Sequence, residues 1–144
     1  MNIDQIRQQI KAYGAMIDAP PQMLTVFDQP QGDGTPFVVV DEGGYRYIFE
    51  ERGMIFEERK TKDGEQLLYW IMEIIISNMA YSYELEHRDP QRDPRRIAFA
   101  KELELFGIIN KSWRQLKKSK LDEILKNNPF DDEVMKLRDR KSVV

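Results

Sequence analysis

One side chain in this 144-residue chain has an ordinary pKa near neutrality: His87, within Glu84-Leu85-Glu86-His87-Arg88. A histidine among carboxylates can serve as a general base that an acid orients. No nucleophile motif accompanies His87, so an exposed residue at a helix end, favoured there by the helix dipole, is the better reading. Paired carboxylates recur at Glu50-Glu51, Glu57-Glu58 and Asp131-Asp132. A hydrolase needs two acids that converge on one bond. Neighbours on a strand point to opposite faces, so the first two pairs do not converge; they read as a solvated strand edge whose charge discourages aggregation. Asp131-Asp132 offers oxygen ligands to a hard cation but lacks a wider ligand set. Gly32-Asp33-Gly34 and Gly43-Gly44 have neither the spacing nor the following helix of a phosphate loop. The chain has no Cys, which removes thiolate metal sites, disulfides and cysteine nucleophiles. No catalytic residue, metal ligand or cofactor site is expected.

Two further groups could bind nucleic acid. Tyr45, Tyr47 and Phe49 alternate along one stretch, as stacking platforms for bases do. Their neighbours are acidic, so packing in a core accounts for them better. Lys111, Arg114, Lys117, Lys118, Lys120 and Lys126 crowd one predicted helix. They form either a solvated face or, as the alternative function, a small nucleic-acid-binding module over residues 111–126. The net charge of −3 divides unevenly: −4 over residues 1–63, −3 over 64–109 and +4 over 110–144. The acidic part is suited to steering a positively charged partner.

The elements that must position these groups follow from periodicity. Ile3, Ile6, Ile10, Tyr13 and Ile17 mark a first helix, with Asn2 and Gln5 spaced as a capping box and Pro20-Pro21 as its stop. Residues 22–36 read as loop, with Leu24–Phe27 a short strand at a sheet edge. Residues 37–60 read as a three-stranded meander, turning at Glu42-Gly43-Gly44 and Arg52-Gly53. Asp63 opens a helix of about 24 residues by the capping rules. Its apolar stripe is Leu67, Ile71, Ile74, Asn78, Tyr81 and Leu85, with Leu68, Met72, Ile75 and Met79 beside it. Asp93-Pro94 starts the next helix, with Ile97, Ala100, Leu103 and Phe106 inward and Gly107 as its C-cap. A last helix over 111–126 turns Trp113, Leu116, Leu121, Ile124 and Leu125 inward, and Pro129 follows it. Strands early and helices late indicate α+β: a small antiparallel three- to four-stranded meander packed against a long central helix, with further C-terminal helices. Residues 1–132 are expected to form a single domain and 133–144 a charged tail that frays. The N-terminus lacks a secretory pattern, and Leu67–Leu85 carries Glu73 and Asn78, so a cytoplasmic chain without a membrane span is expected.

Several short pieces occur in a recognisable order: Leu67-Leu68-Tyr69-Trp70-Ile71, Tyr83–Arg88, Arg95-Arg96, Leu103-Glu104-Leu105-Phe106-Gly107, Ile124-Leu125 and Pro129-Phe130-Asp131-Asp132. With the Tyr45–Lys60 hairpin, they resemble the immunity protein 63 family of bacterial polymorphic toxin systems over residues 36–132. The resemblance implies a small cytoplasmic protein that binds and neutralises a cognate toxin and is not an enzyme. It supplies no catalytic residue to carry over. Toxin domains that cut nucleic acids are often basic, so the acidic sheet residues Asp41, Glu42, Glu50, Glu51, Glu57 and Glu58 are the expected toxin contacts.

Overall fold

The structure, a computed structural model, describes residues 1–134. They fall into two compact units that divide after Glu73, within a long helix. The predicted frayed tail lies, from residue 135 onward, outside the described residues.

The first unit opens with α1 (Ile3–Met16). The capping box forms as its spacing predicts: Asn2 Oδ1 accepts from Gln5 N at 2.8 Å, and Gln5 Oε1 accepts from Asn2 N at 2.9 Å. Ile6 and Ile10 are fully buried. The helix stops before the prolines, because Asp18 takes a positive φ of 53° and Ala19 N turns back to Gly14 O. Pro21–Leu24 forms a single 3-10 turn. The edge strand expected near it shrinks to one parallel bridge, Phe27 with Phe37, carried by Val38 N donating to Phe27 O.

Then come β1 (Phe37–Asp41), β2 (Gly44–Glu51) and β3 (Met54–Thr61), an antiparallel sheet in the order β1-β2-β3. Gly44 carries φ 120°, and a Cβ there would lie 2.6 Å from the Thr61 carbonyl oxygen, so only glycine fits this first turn. The second turn has positive φ at both Arg52 and Gly53, the signature of a tight hairpin turn whose twist matches that of its strands. Expected alternation in β2 is only half met: Tyr47, Ile48 and Phe49 are all buried. Val38 stands opposite Tyr47, and Phe37 opposite Ile48, so apolar pairs occupy both faces at mid-strand.

Helix α2 (Gly64–Glu86) begins where Asp63 Oδ1 accepts from Glu65 N. Its Leu67, Leu68, Tyr69, Ile71 and Met72 are buried in the first unit. Arg59 of β3 lies over both Phe49 of β2 and Trp70 of α2, at 5.1 and 5.8 Å from the ring centroids. This meander on a long helix is the expected α+β arrangement.

The second unit contains the rest of α2, α3 (Arg95–Ile109) and α4 (Lys111–Asn127). Here the predicted stripes shift. On α2 the buried positions are Ile75, Ile76, Ala80 and Glu84, while Asn78, Tyr81 and Leu85 are exposed. On α3 they are Ala98, Phe99, Glu102, Leu105 and Phe106, while Ala100 is exposed. On α4 only Trp113 and Leu121 are buried; Leu116 and Ile124 face solvent. One cause runs through α2 and α3: a carboxylate occupies the core face, which hydropathy assigns to solvent. Glu84 and Glu102 are each 2% exposed. Arg88 grips Glu84 through two 2.9 Å hydrogen bonds, and Lys117 Nζ of α4 lies 3.6 Å from Glu102 Oε1 of α3. α3 also runs past Gly107, whose missing side chain lets Arg114 approach; Asn110 ends α3 and caps α4 through Trp113 N.

A buried charge that loses its counter-ion destabilises more than the pair stabilises. Lys117→Met should therefore cost about 3 kcal/mol, whereas Glu102→Leu combined with Lys117→Met should recover most of it. Chemical denaturation of the two variants checks this; equal losses in both would refute the buried pair.

Candidate functional site

The six acids singled out in the sequence lie on the sheet or its first turn, but their charges differ in availability. Arg46 of β2 takes two of them. Its Nε lies 3.3 Å from Asp41 Oδ2, without hydrogen-bond alignment, and its Nη1 donates to Glu58 Oε1 at 3.3 Å. Asp41 also accepts from Gly43 N and so shapes the first turn. Glu57 accepts from Arg59 Nε on the opposite sheet face from Glu58, as the alternation of a strand requires. Thus Asp41, Glu57 and Glu58 face cations of their own sheet. Glu42, Glu50 and Glu51 enter no ion pair among the described residues. Tyr47, opposite Arg59 on the neighbouring strand, is buried, and burial pushes its phenol well above its ordinary value despite that positive charge.

At the far end of the β2–β3 hairpin the register slips. Phe49 stands opposite Glu57, but Glu50 stands opposite Ile55, which leaves Phe56 as the extra residue of a β-bulge. Met54, Ile55 and Phe56 are 72%, 56% and 60% exposed. The sequence pattern marks them only as the apolar start of a returning strand. Alternation tells which residues share a face, not whether anything covers that face, so residue order does not reveal their exposure. The loop before β1 closes on the same end: Gly34 N donates to Glu50 O at 2.9 Å, and Arg52 N to Gly32 O at 3.1 Å. That brings Asp33 beside Glu51. Hydrogen bonds with Thr35 hold the Asp33 carboxyl below the usual carboxylate range.

The other sequence candidates resolve as packing or solvent groups. His87 is exposed; its ring stacks on Tyr83 at 4.0 Å, and its Nδ1 lies 2.9 Å from Tyr83 O. Lys101 Nζ also lies over the Tyr83 ring, 4.3 Å from its centroid. Lys117 belongs to the buried pair with Glu102, and Lys118 bonds Asp122 at 2.8 Å, so these two cations of the basic run are engaged within the chain. Asp131 and Asp132 serve as a clasp on the start of α3. Asp132 accepts from Asp93 N and from Arg96, Asp93 accepts from Asp131 N, and Arg95 donates to the carbonyls of Asn128 and Pro129. Phe130 lies under Arg96, with 4.4 Å between guanidinium and ring centroid. Asp93 Oδ1 also accepts from Arg95 N, the cap expected from Asp93-Pro94.

The Immunity protein 63 family model matches residues 41–123. The chain belongs to this family. The match runs from the end of β1 into α4, so it contains all six sheet acids, the hairpin tip and the buried pairs. It is narrower than the resemblance over 36–132 and leaves the Phe130 clasp outside. No curated protein and no solved structure matches the chain. No described helix is long and apolar enough to cross a membrane.

The clasp has a pH signature. Burial raises the Asp93 carboxyl, but hydrogen bonds from the Arg95 side chain, Asp131 N and Arg95 N outweigh it and bring the pKa down to about 2. An unfolded aspartate titrates near 3.9. The unfolded state therefore binds the proton first as pH falls. The stabilisation, about 2 kcal/mol, is present above roughly pH 4 and disappears as pH approaches 2. In urea unfolding between pH 6 and 2.5, Asp93→Asn should start less stable and lose less with acid than the unaltered chain; parallel curves would count against the clasp.

Proposed function

We propose that this chain neutralises a cognate bacterial toxin by binding it, without catalysis, in the cytoplasm of the cell that makes the toxin. Membership of the Immunity protein 63 family carries the reading. The molecule suits that task in two respects. Its buried carboxylates Glu84, Asp93 and Glu102 all face cations of the chain itself, so these groups act in the scaffold. Its sheet also presents acids to solvent, which favours fast association with a basic partner.

The proposed contact surface is the acidic sheet with Asp41, Glu42, Glu50, Glu51, Glu57 and Glu58. Within it Glu42, Glu50 and Glu51 supply the charge that Arg46 and Arg59 leave unneutralised. Partner charges gain most from acids that have no competing cation nearby.

Co-expression with the product of the adjacent gene tests the reading. The chain should restore growth to cells that produce that toxin, and the two proteins should co-purify. Loss of growth despite abundant folded chain, with no co-purification, would overturn it.

A further inference from the structure

We infer that toxin contact centres on the tip of the β2–β3 hairpin, where Met54 and Phe56 receive an apolar side chain of the toxin that is flanked by Lys or Arg. This rests on the neutralisation reading and adds to it a place and a chemistry.

The tip is built to display these residues. The bulge takes Phe56 out of the regular pleat and sets its ring 6.0 Å from Phe49. It reaches the loop before β1, where a Cβ on Gly34 would meet the Phe56 ring at 3.9 Å. Met54 stands opposite Glu51 on the neighbouring strand. Together Glu51, Arg52, Met54 and Phe56 line a groove of about 480 Å³. Tyr47 and Phe49 of the same hairpin are buried, so leaving Met54 and Phe56 uncovered is a local property of the tip. Two large apolar side chains inside a polar rim form the pattern of an interface anchor.

The rim selects the occupant. Glu51 lines the groove beside a single cation, Arg52; Asp33 is bridged to Glu51 and Glu50 precedes it on the strand, and none of the three acids has an ion-pair partner among the described residues. A second copy of this chain would bring the same acids against one another, which costs free energy at close range. A basic surface gains from them. The rest of β3 is guarded differently: Glu57-Glu58-Arg59-Lys60 charges the edge strand beyond the tip, the usual protection against strand pairing. The opening at Met54–Phe56 is the gap in that protection.

The test is calorimetric titration of the whole chain with the purified toxin domain encoded by the adjacent gene. Met54→Ser with Phe56→Ser should weaken binding about 30-fold or more. Glu50→Lys with Glu51→Lys should weaken binding about tenfold, and raised salt should weaken binding by the unaltered chain more than by this variant. Leu116→Ser with Ile124→Ser, which changes exposed apolar residues on α4, should bind as the unaltered chain does. Melting temperatures confirm folding, and Met54→Ser alone serves should the double variant not fold. Unchanged affinity in the folded Met54 and Phe56 variants overturns the tip and leaves neutralisation standing. No binding by the unaltered chain removes the neutralisation reading itself. Self-association on sedimentation that these variants abolish would assign the groove to a second copy and overturn the inference.

Discussion

A carboxylate withdrawn from water must meet a cation or several donors, and this requirement organises both units of the chain. In the helical unit it places Arg88 on Glu84, Lys117 on Glu102 and Arg95 on Asp93. Each of these pairs fixes a position that apolar packing alone leaves free: the end of α2, the pairing of α3 with α4, and the loop that returns from α4 to the start of α3. In the sheet unit the same rule is looser, because the groups are half exposed. There Arg46 gathers Asp41 and Glu58, and Arg59 takes Glu57 while covering Phe49 and Trp70. Such surface pairs contribute little stability each. Their larger effect is on what remains: they decide which acids still present an uncompensated charge to a partner.

Function and fold are linked through that remainder. A net charge of −3 says little about recognition. Internal pairing sorts the charge into groups already engaged and groups still available. Asp33, Glu50 and Glu51 collect at the hairpin tip, where a bulge and two tight backbone contacts from the preceding loop also hold Met54 and Phe56 in the open. On the proposed reading, steering charge and apolar anchor thereby occupy one place. A binding protein needs this coincidence, because long-range attraction accelerates encounter while short-range burial slows release.

Elements with a single local cause were legible from residue order. The capping box of Asn2 and Gln5, the caps at Asp63 and Asp93, the turns at Gly44 and Arg52-Gly53, and the three strands all depend on neighbours within a few positions. The helical faces were less legible. The stripe through Asn78, Tyr81 and Leu85 and the inward placement of Ala100, Leu116 and Ile124 followed apolar spacing, yet the structure turns these positions outward. Glu84 and Glu102 stand on the buried faces instead, paired with Arg88 one turn on and with Lys117 of α4, and hydropathy credits a carboxylate with no partner.

The sequence by itself determined the α+β class, the positions of the strands and helices, the absence of thiol chemistry and the family resemblance. Each depends on composition, on local backbone preference or on a short ordered pattern. Tertiary structure alone decided which charges cancel, which helical face is inside and which apolar residues stay uncovered. Those outcomes depend on distances between residues far apart in the chain: Arg46 with Glu58, Glu102 with Lys117, Phe56 with Gly34. A Coulombic or apolar contact acts through space, and only the folded chain sets that space.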